Sequence, residues 1–134
     1  MILVSSCLLG ISCRYDGSSR PCPKIFDIIE KAEAVVPVCP EQLGGLSTPR
    51  PPAAIMGGDG FDVLSGRARV IRLKDGKDIT SAFLSGAEQC LKLVKIFNVT
   101  RAVLKAGSPS CGLGRPSGVT AAALILKGMD VLEF

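Results

Sequence analysis

Lys105-Ala-Gly-Ser-Pro-Ser-Cys-Gly112 follows the apolar run Ala102-Val-Leu104 and turns on Pro109 and Gly112, so it reads as a strand ending in a loop that carries a cysteine. Two other stretches have the same form. Ile2-Leu-Val-Ser-Ser-Cys7 runs into Leu8-Leu9-Gly10, and Ala34-Val-Val-Pro-Val-Cys39 runs into Pro40-Glu41. Three strand-like runs each end at a thiol, and the segments between them decide whether those thiols meet.

A chain of 134 residues reads as a single α/β domain over 1–134, large enough to bury a real core without staples. Its hydrophobic share is 47% but its aromatic share only 4%, with no Trp, so the core is built of Val, Leu, Ile and Ala. The net charge of +4 is scattered along the chain, and with few stacking residues there is no strong nucleic-acid signal. The apolar start at Ile2 lacks a basic flank and breaks at Ser5-Ser6-Cys7, which argues against a secretory leader. No apolar run is long enough to span a bilayer. A cytoplasmic setting with reduced thiols is therefore expected for the six cysteines, rather than a disulfide framework. Histidine is absent, which removes the commonest general base and the usual nitrogen ligand of zinc.

In chain order, the strand of residues 2–6 leads into a polar loop from Gly10 to Gly17. A helix follows from Lys24, with Ile25, Ile28, Ile29 and Ala32 on one face. Ala34 to Val38 is the second strand, and its Pro37, which cannot donate to a ladder, suits an edge. Residues 40–60 are so rich in Gly and Pro that they read as a long loop over a site. The alternating Arg67 to Leu73 run, followed by Lys74-Asp-Gly-Lys77, predicts a small strand or hairpin insertion. Asp78 or Thr80 is placed to cap a long crossover helix reaching about Phe97. After the third strand, Ser117 is a suitable cap for a buried helix over Ala121 to Leu126, and Met129 to Phe134 forms a last strand.

This order implies an open, mostly parallel, Rossmann-like sheet in the order 2-1-3-4, with helices on both faces. Ligands of such sheets bind beyond the carboxyl ends of the strands where the winding reverses. Cys39, Cys7 and Cys111 would then stand at the tips of three adjacent strands and could converge on a metal. On the residues alone, the alternative that all three are buried structural cysteines stays open. Cys90, between apolar neighbours in the long helix, reads as core; Cys22, between two prolines, reads as inert. Cys13 follows Cys7 closely enough to approach the same mouth.

Proton transfer needs something other than sulfur. Glu41 lies two residues after Cys39, where an apolar cleft would suit it to proton transfer, although a solvated surface carboxylate is the plainer reading. Ser108 and Ser110 offer hydroxyls beside Cys111, or simply bond to their own turn. The helix after Ser117 would point its positive end at the mouth and favour anionic sulfur.

At these residues the chain resembles the 2-thiouracil desulfidase family. The matching pieces are Val4-Ser-Ser-Cys-Leu-Leu-Gly10 with Cys13-Arg-Tyr-Asp-Gly17, and Val36-Pro-Val-Cys-Pro-Glu41 with Leu43-Gly-Gly-Leu46. Thr48-Pro-Arg-Pro-Pro52, Gly57-Gly-Asp-Gly60 and Ser108-Pro-Ser-Cys-Gly112 complete the match. The resemblance implies a 4Fe-4S cluster held by Cys7, Cys39 and Cys111, with Glu41 and a serine of the Ser108–Ser110 segment assisting. It also implies a small thiolated substrate, such as a thiolated pyrimidine, that loses its sulfur as sulfide without net redox change. One departure stands out: only Gly-Leu-Gly-Arg-Pro-Ser separates Cys111 from Gly118, where relatives usually carry a longer insert over the mouth. The competing readings are a zinc hydrolase using the same three cysteines, and a non-catalytic iron-sulfur or sulfur-binding module.

Overall fold

The computed structural model describes residues 1–32, 34–114 and 117–134. Four parallel strands form its main sheet: β1 (Ile2–Ser5), β2 (Val35–Val38), β5 (Arg101–Leu104) and β6 (Asp130–Glu133), in the order β2-β1-β5-β6. This is the anticipated 2-1-3-4 winding, with Leu3 of β1 opposite Val36 on one side and Ala102 on the other. Pro37 sits exposed on β2, an edge strand, where a missing N–H costs no ladder bond.

The two-residue period of the strands sorts the core into two layers. Ile2, Val4 and Val103 face a cluster with Leu8 and Ile25, the buried residue of α1 (Lys24–Ile29). Leu3, Ala102 and Leu104 face the opposite way, against Cys90 of α4 (Thr80–Phe97) and Ala121 and Leu124 of α5 (Val119–Leu126). Cys90 is therefore core, as its apolar neighbours indicated. All six residues from Val119 to Leu124 are buried, which explains why that segment carries no polar face.

Residues 40–60 are not the simple loop their Gly and Pro content suggested. They hold α2 (Pro40–Leu43) and β3 (Ala53–Met56), and at their end α3 (Gly60–Leu64) begins. β3 pairs antiparallel with β4 (Arg69–Arg72), which is the expected small insertion with its partner now identified. The Lys74–Lys77 turn only folds Asp78 back to bridge Ile71. α3 is started by a reciprocal cap: the Asp59 carboxylate accepts from the Asp62 N–H at 3.1 Å, and Asp62 accepts from the Asp59 N–H at 3.0 Å. At α4, Asp78 accepts the Thr80 N–H at 2.9 Å, while the Thr80 hydroxyl accepts from the Val70 N–H instead of capping.

Ser117 does not cap α5. Gly118 occupies the cap position, and the Ser117 hydroxyl donates back to the Leu113 and Gly114 carbonyls. The reason is packing, because a Cβ on Gly118 would overlap the backbone of Ser110 and Cys111. No helix among the described residues is long and apolar enough to cross a membrane.

Two glycines bring α2 against α4. A Cβ on Gly86 would strike the Pro40 carbonyl, and one on Gly44 would strike the Ala82 carbonyl. Alanine is better than glycine in a helix by about 1 kcal/mol, yet overpacking a close backbone contact costs about 1–3 kcal/mol. Gly86→Ala should therefore lower stability despite its helical advantage, read as a lower urea midpoint with an unchanged slope. An unchanged or raised midpoint would show that α2 is free to move away.

Candidate functional site: a thiol-lined cavity at the carboxyl edge of the sheet

Where β2, β1 and β5 end, their following loops enclose a cavity of about 210 Å³. The helical turn Ser6–Leu9 after β1 carries Cys7, and Cys39 precedes α2, whose first turn carries Glu41. Beyond β5, the Lys105–Gly112 loop carries Ser108, Ser110 and Cys111. All six anticipated site residues line this one cavity, together with Cys13, Arg50 and Lys105. Cys22 lies outside it, half-buried against the α1 side of the core. All six cysteines are free thiols.

The Cys111 loop is held from three directions. The Ser108 hydroxyl accepts from the Ser110 N–H at 3.2 Å and the Cys111 N–H at 3.1 Å, a local turn of the kind serines favour. The Ser5 hydroxyl accepts from the Lys105 N–H at 3.0 Å, tying the loop's start to β1. The first N–H groups of α5 are taken by loop carbonyls: Val119 donates to Pro109, and Thr120 and Ala121 donate to Ser110. The first N–H groups of α5 thus fasten the loop that carries Cys111.

Ser110 behaves differently from Ser108. Only 2% exposed, it donates its hydroxyl proton to Glu41 Oε2 at 2.9 Å, while its oxygen lies 2.9 Å from the Ser108 hydroxyl. A continuous line of oxygens therefore runs from Glu41 through Ser110 to Ser108, beside Cys111. Glu41 sits neither in an apolar cleft nor on a solvated surface, the two settings that the sequence left open. Its other oxygen, Oε1, accepts from Arg50 Nε at 3.1 Å in a largely buried ion pair. Arg50 was hidden in sequence inside Thr48-Pro-Arg-Pro-Pro52, and only a charged residue among so many prolines hinted that it had a fixed partner.

The thiols are chemically unequal. Cys39 and Cys13 pass hydrogen bonds toward Cys7: the bond from Cys13 is the main reason that the Cys7 thiol is lowered from its ordinary value, against burial and the nearby Cys111 and Cys39. The Cys13 thiol is eased down by the bond from Cys39, but its donation to Cys7 and its burial outweigh this and leave it raised. Cys39 is raised by its donation to Cys13 and by burial. Its sulfur also lies 3.7 Å from the Cys13 carbonyl oxygen. Burial pushes the Cys111 thiol up to about 11, with the Ser5 and Ser110 hydroxyls opposing the rise.

The donor set suits an iron-sulfur cluster. Soft thiolates select iron-sulfur and zinc centres, and four thiols line the cavity here. The ligands of one tetrahedral zinc stand about 3.8 Å apart, given Zn–S bonds of about 2.3 Å. Among the described residues, no three His, Cys, Asp or Glu side chains are placed to close on a single ion. The short connection after Cys111 includes Arg115 and Pro116, which lie outside the described residues.

A family model described as 2-thiouracil desulfurase matches residues 2–133. The uncharacterized protein YbbK of Bacillus subtilis (strain 168) is 45% identical over 145 residues, covering 99% of this chain and 95% of that protein. A solved structure of the 4Fe-4S-dependent thiouracil desulfidase TudS matches with a TM-score of 0.82 at 36% identity, covering 98% of this chain and 89% of that one.

Only the thiolate reacts with an alkylating agent, and a lowered pKa enlarges its share near neutral pH. In metal-free folded protein, iodoacetamide should therefore modify Cys7 before Cys39 and Cys111. Peptide mass spectrometry over time reads the order, and equal rates for the three in folded protein would contradict it.

Proposed function

The chain belongs to the 2-thiouracil desulfurase family, and from this premise we propose that it removes sulfur from small thiocarbonyl compounds, thiolated pyrimidines foremost. The overall change converts C=S and water into C=O and hydrogen sulfide, so no electrons are gained or lost. One observation carries the reading: thiols from the tips of three adjacent strands share a cavity with a Glu41–Ser110 hydrogen bond of 2.9 Å.

In this reading Cys7, Cys39 and Cys111 hold a 4Fe-4S cluster. With three thiolates for four irons, the group supplies when bound an open, soft Lewis-acidic position suited to a thiocarbonyl sulfur. The remaining work belongs to the chain's own oxygens. Glu41 Oε2, already accepting one proton-bearing oxygen, is the acceptor for a proton from the attacking water. Ser110 Oγ, within hydrogen-bond reach of both Glu41 and Ser108, orients that water and carries protons between the carboxylate and the cavity. Ser108 keeps the loop in shape through its two backbone bonds and thereby fixes where Ser110 points. Ser5, Val38, Pro40, Pro52 and Ala53 complete the walls of the cavity, whose volume of about 210 Å³ suits a small substrate.

Anaerobic reconstitution should give a coloured protein with about four irons and four acid-labile sulfides per chain. Cys7→Ala, Cys39→Ala and Cys111→Ala should each lose that iron, while Cys13→Ala keeps it. The reconstituted wild type should release sulfide from 2-thiouracil, and Glu41→Ala should slow release by about 10²–10⁴-fold with its iron retained. A colourless protein with stoichiometric zinc would sink the cluster, and full turnover in Glu41→Ala would remove that residue from the mechanism.

A further inference from the structure

Arg50 has no part in the roles assigned above, yet its side chain is only 6% exposed and every one of its nitrogens is engaged. Nε donates to Glu41 Oε1 at 3.1 Å, and Nη2 donates to the Cys13 carbonyl at 2.9 Å. Nη1 donates to the Ser47 carbonyl at 3.1 Å and to the Thr48 hydroxyl at 2.9 Å. Its backbone N–H donates to the Tyr15 carbonyl at 2.7 Å. The groups it grips therefore come from α2, from the loop after β1 and from its own turn. A guanidinium presents its donors in a rigid planar fork, so fixing two nitrogens fixes the direction of the third.

The consequence falls on Glu41. A carboxylate turns about its last torsion in a broad, roughly two-fold well, so a free one would not hold either oxygen in one direction. Here Oε1 is occupied by Arg50, which leaves Oε2 aimed at Ser110. We infer that Arg50 is a positioning residue: it divides the two oxygens of Glu41 between structure and chemistry, and locks the carboxylate to the Cys13 wall of the cavity. This inference rests on the desulfuration reading. Arg50 touches no reacting atom itself; it acts through Glu41. A misplacement of about 1 Å in such a group can cost about 10²-fold in rate.

The test uses reconstituted protein and two variants, Arg50→Met and Arg50→Lys, the second keeping the charge without the fork. Both should bind iron like the wild type, and kcat for 2-thiouracil should fall about 10²-fold in Arg50→Met and less in Arg50→Lys. KM should stay within about threefold, because every nitrogen of Arg50 is turned to a protein partner and none is left to bind substrate. The double variant R50M/E41Q should be no slower than E41Q alone, since both changes remove the same aligned oxygen. Crystal structures of the variants should show the Glu41 carboxylate turned away from Ser110. Unchanged kcat in both variants, fully multiplicative losses in the double variant, or losses that follow lost iron or folding in both would each overturn the role. A wild type that releases no sulfide would remove the desulfuration reading and this inference with it, whereas wild-type turnover with unaffected variants overturns the inference alone.

Discussion

The parallel pairing of β1 with β2 on one side and β5 on the other is the constraint on which the rest depends. Parallel neighbours end at the same edge, so pairing Leu3 with both Val36 and Ala102 delivers the segments after Ser5, Val38 and Leu104 to one place. Nothing local in the sequence joins Cys7, Cys39 and Cys111; the ladder does. β1 is buried along its whole length, with Ile2 and Val4 held by the α1 side and Leu3 by α4 and α5. A one-residue slip would turn each of these to the wrong layer. The cavity is thus specified by the same apolar alternation that specifies the core.

Delivery to one edge is not enough, because the loops must also approach closely, and small residues allow that. Gly44 and Gly86 let α2 lie against α4, which sets the height of Cys39 and Glu41 over the sheet. Gly118 lets the start of α5 lie against Ser110 and Cys111, so that its first N–H groups can hold the loop carbonyls.

What could be read from the sequence was what repeats over several residues. The three apolar runs, the strand order, the long α4 and the buried α5 all follow from periodicities that a linear pattern carries, and so does the placing of three cysteines at strand ends. α2, β3 and α3 span four or five residues each, too few for a period to emerge from a stretch punctuated by glycine and proline. Their formation rests on tertiary contacts and on one cap, Asp59 with Asp62. Ser117 was misread because the cap rules know nothing of the backbone that crowds Gly118. The setting of Glu41 stayed open because its partner, Arg50, comes from a turn whose path the sequence does not reveal.

The chemistry of the cavity has two halves that differ in how they hold charge. Donation to Cys13 together with burial raises Cys39, and burial raises Cys111, so their thiolates would gain little from water, and a positive group bonded to sulfur is what would stabilise them. Glu41 bears the same negative sign as a thiolate, which adds to the rise of Cys111, and it has its own cation in Arg50. A buried ion pair is a weak source of stability, since desolvation offsets most of the attraction and well-packed apolar residues of the same volume often serve as well. This pair is nonetheless surrounded by hydrogen bonds to Ser47, Thr48, Cys13 and Ser110 that leave no oxygen or nitrogen of it idle. Such full satisfaction fixes geometry more than it lowers energy. Placed between the thiols and the hydroxyls, it keeps a carboxylate aimed while the thiols are left to whatever cation they bind.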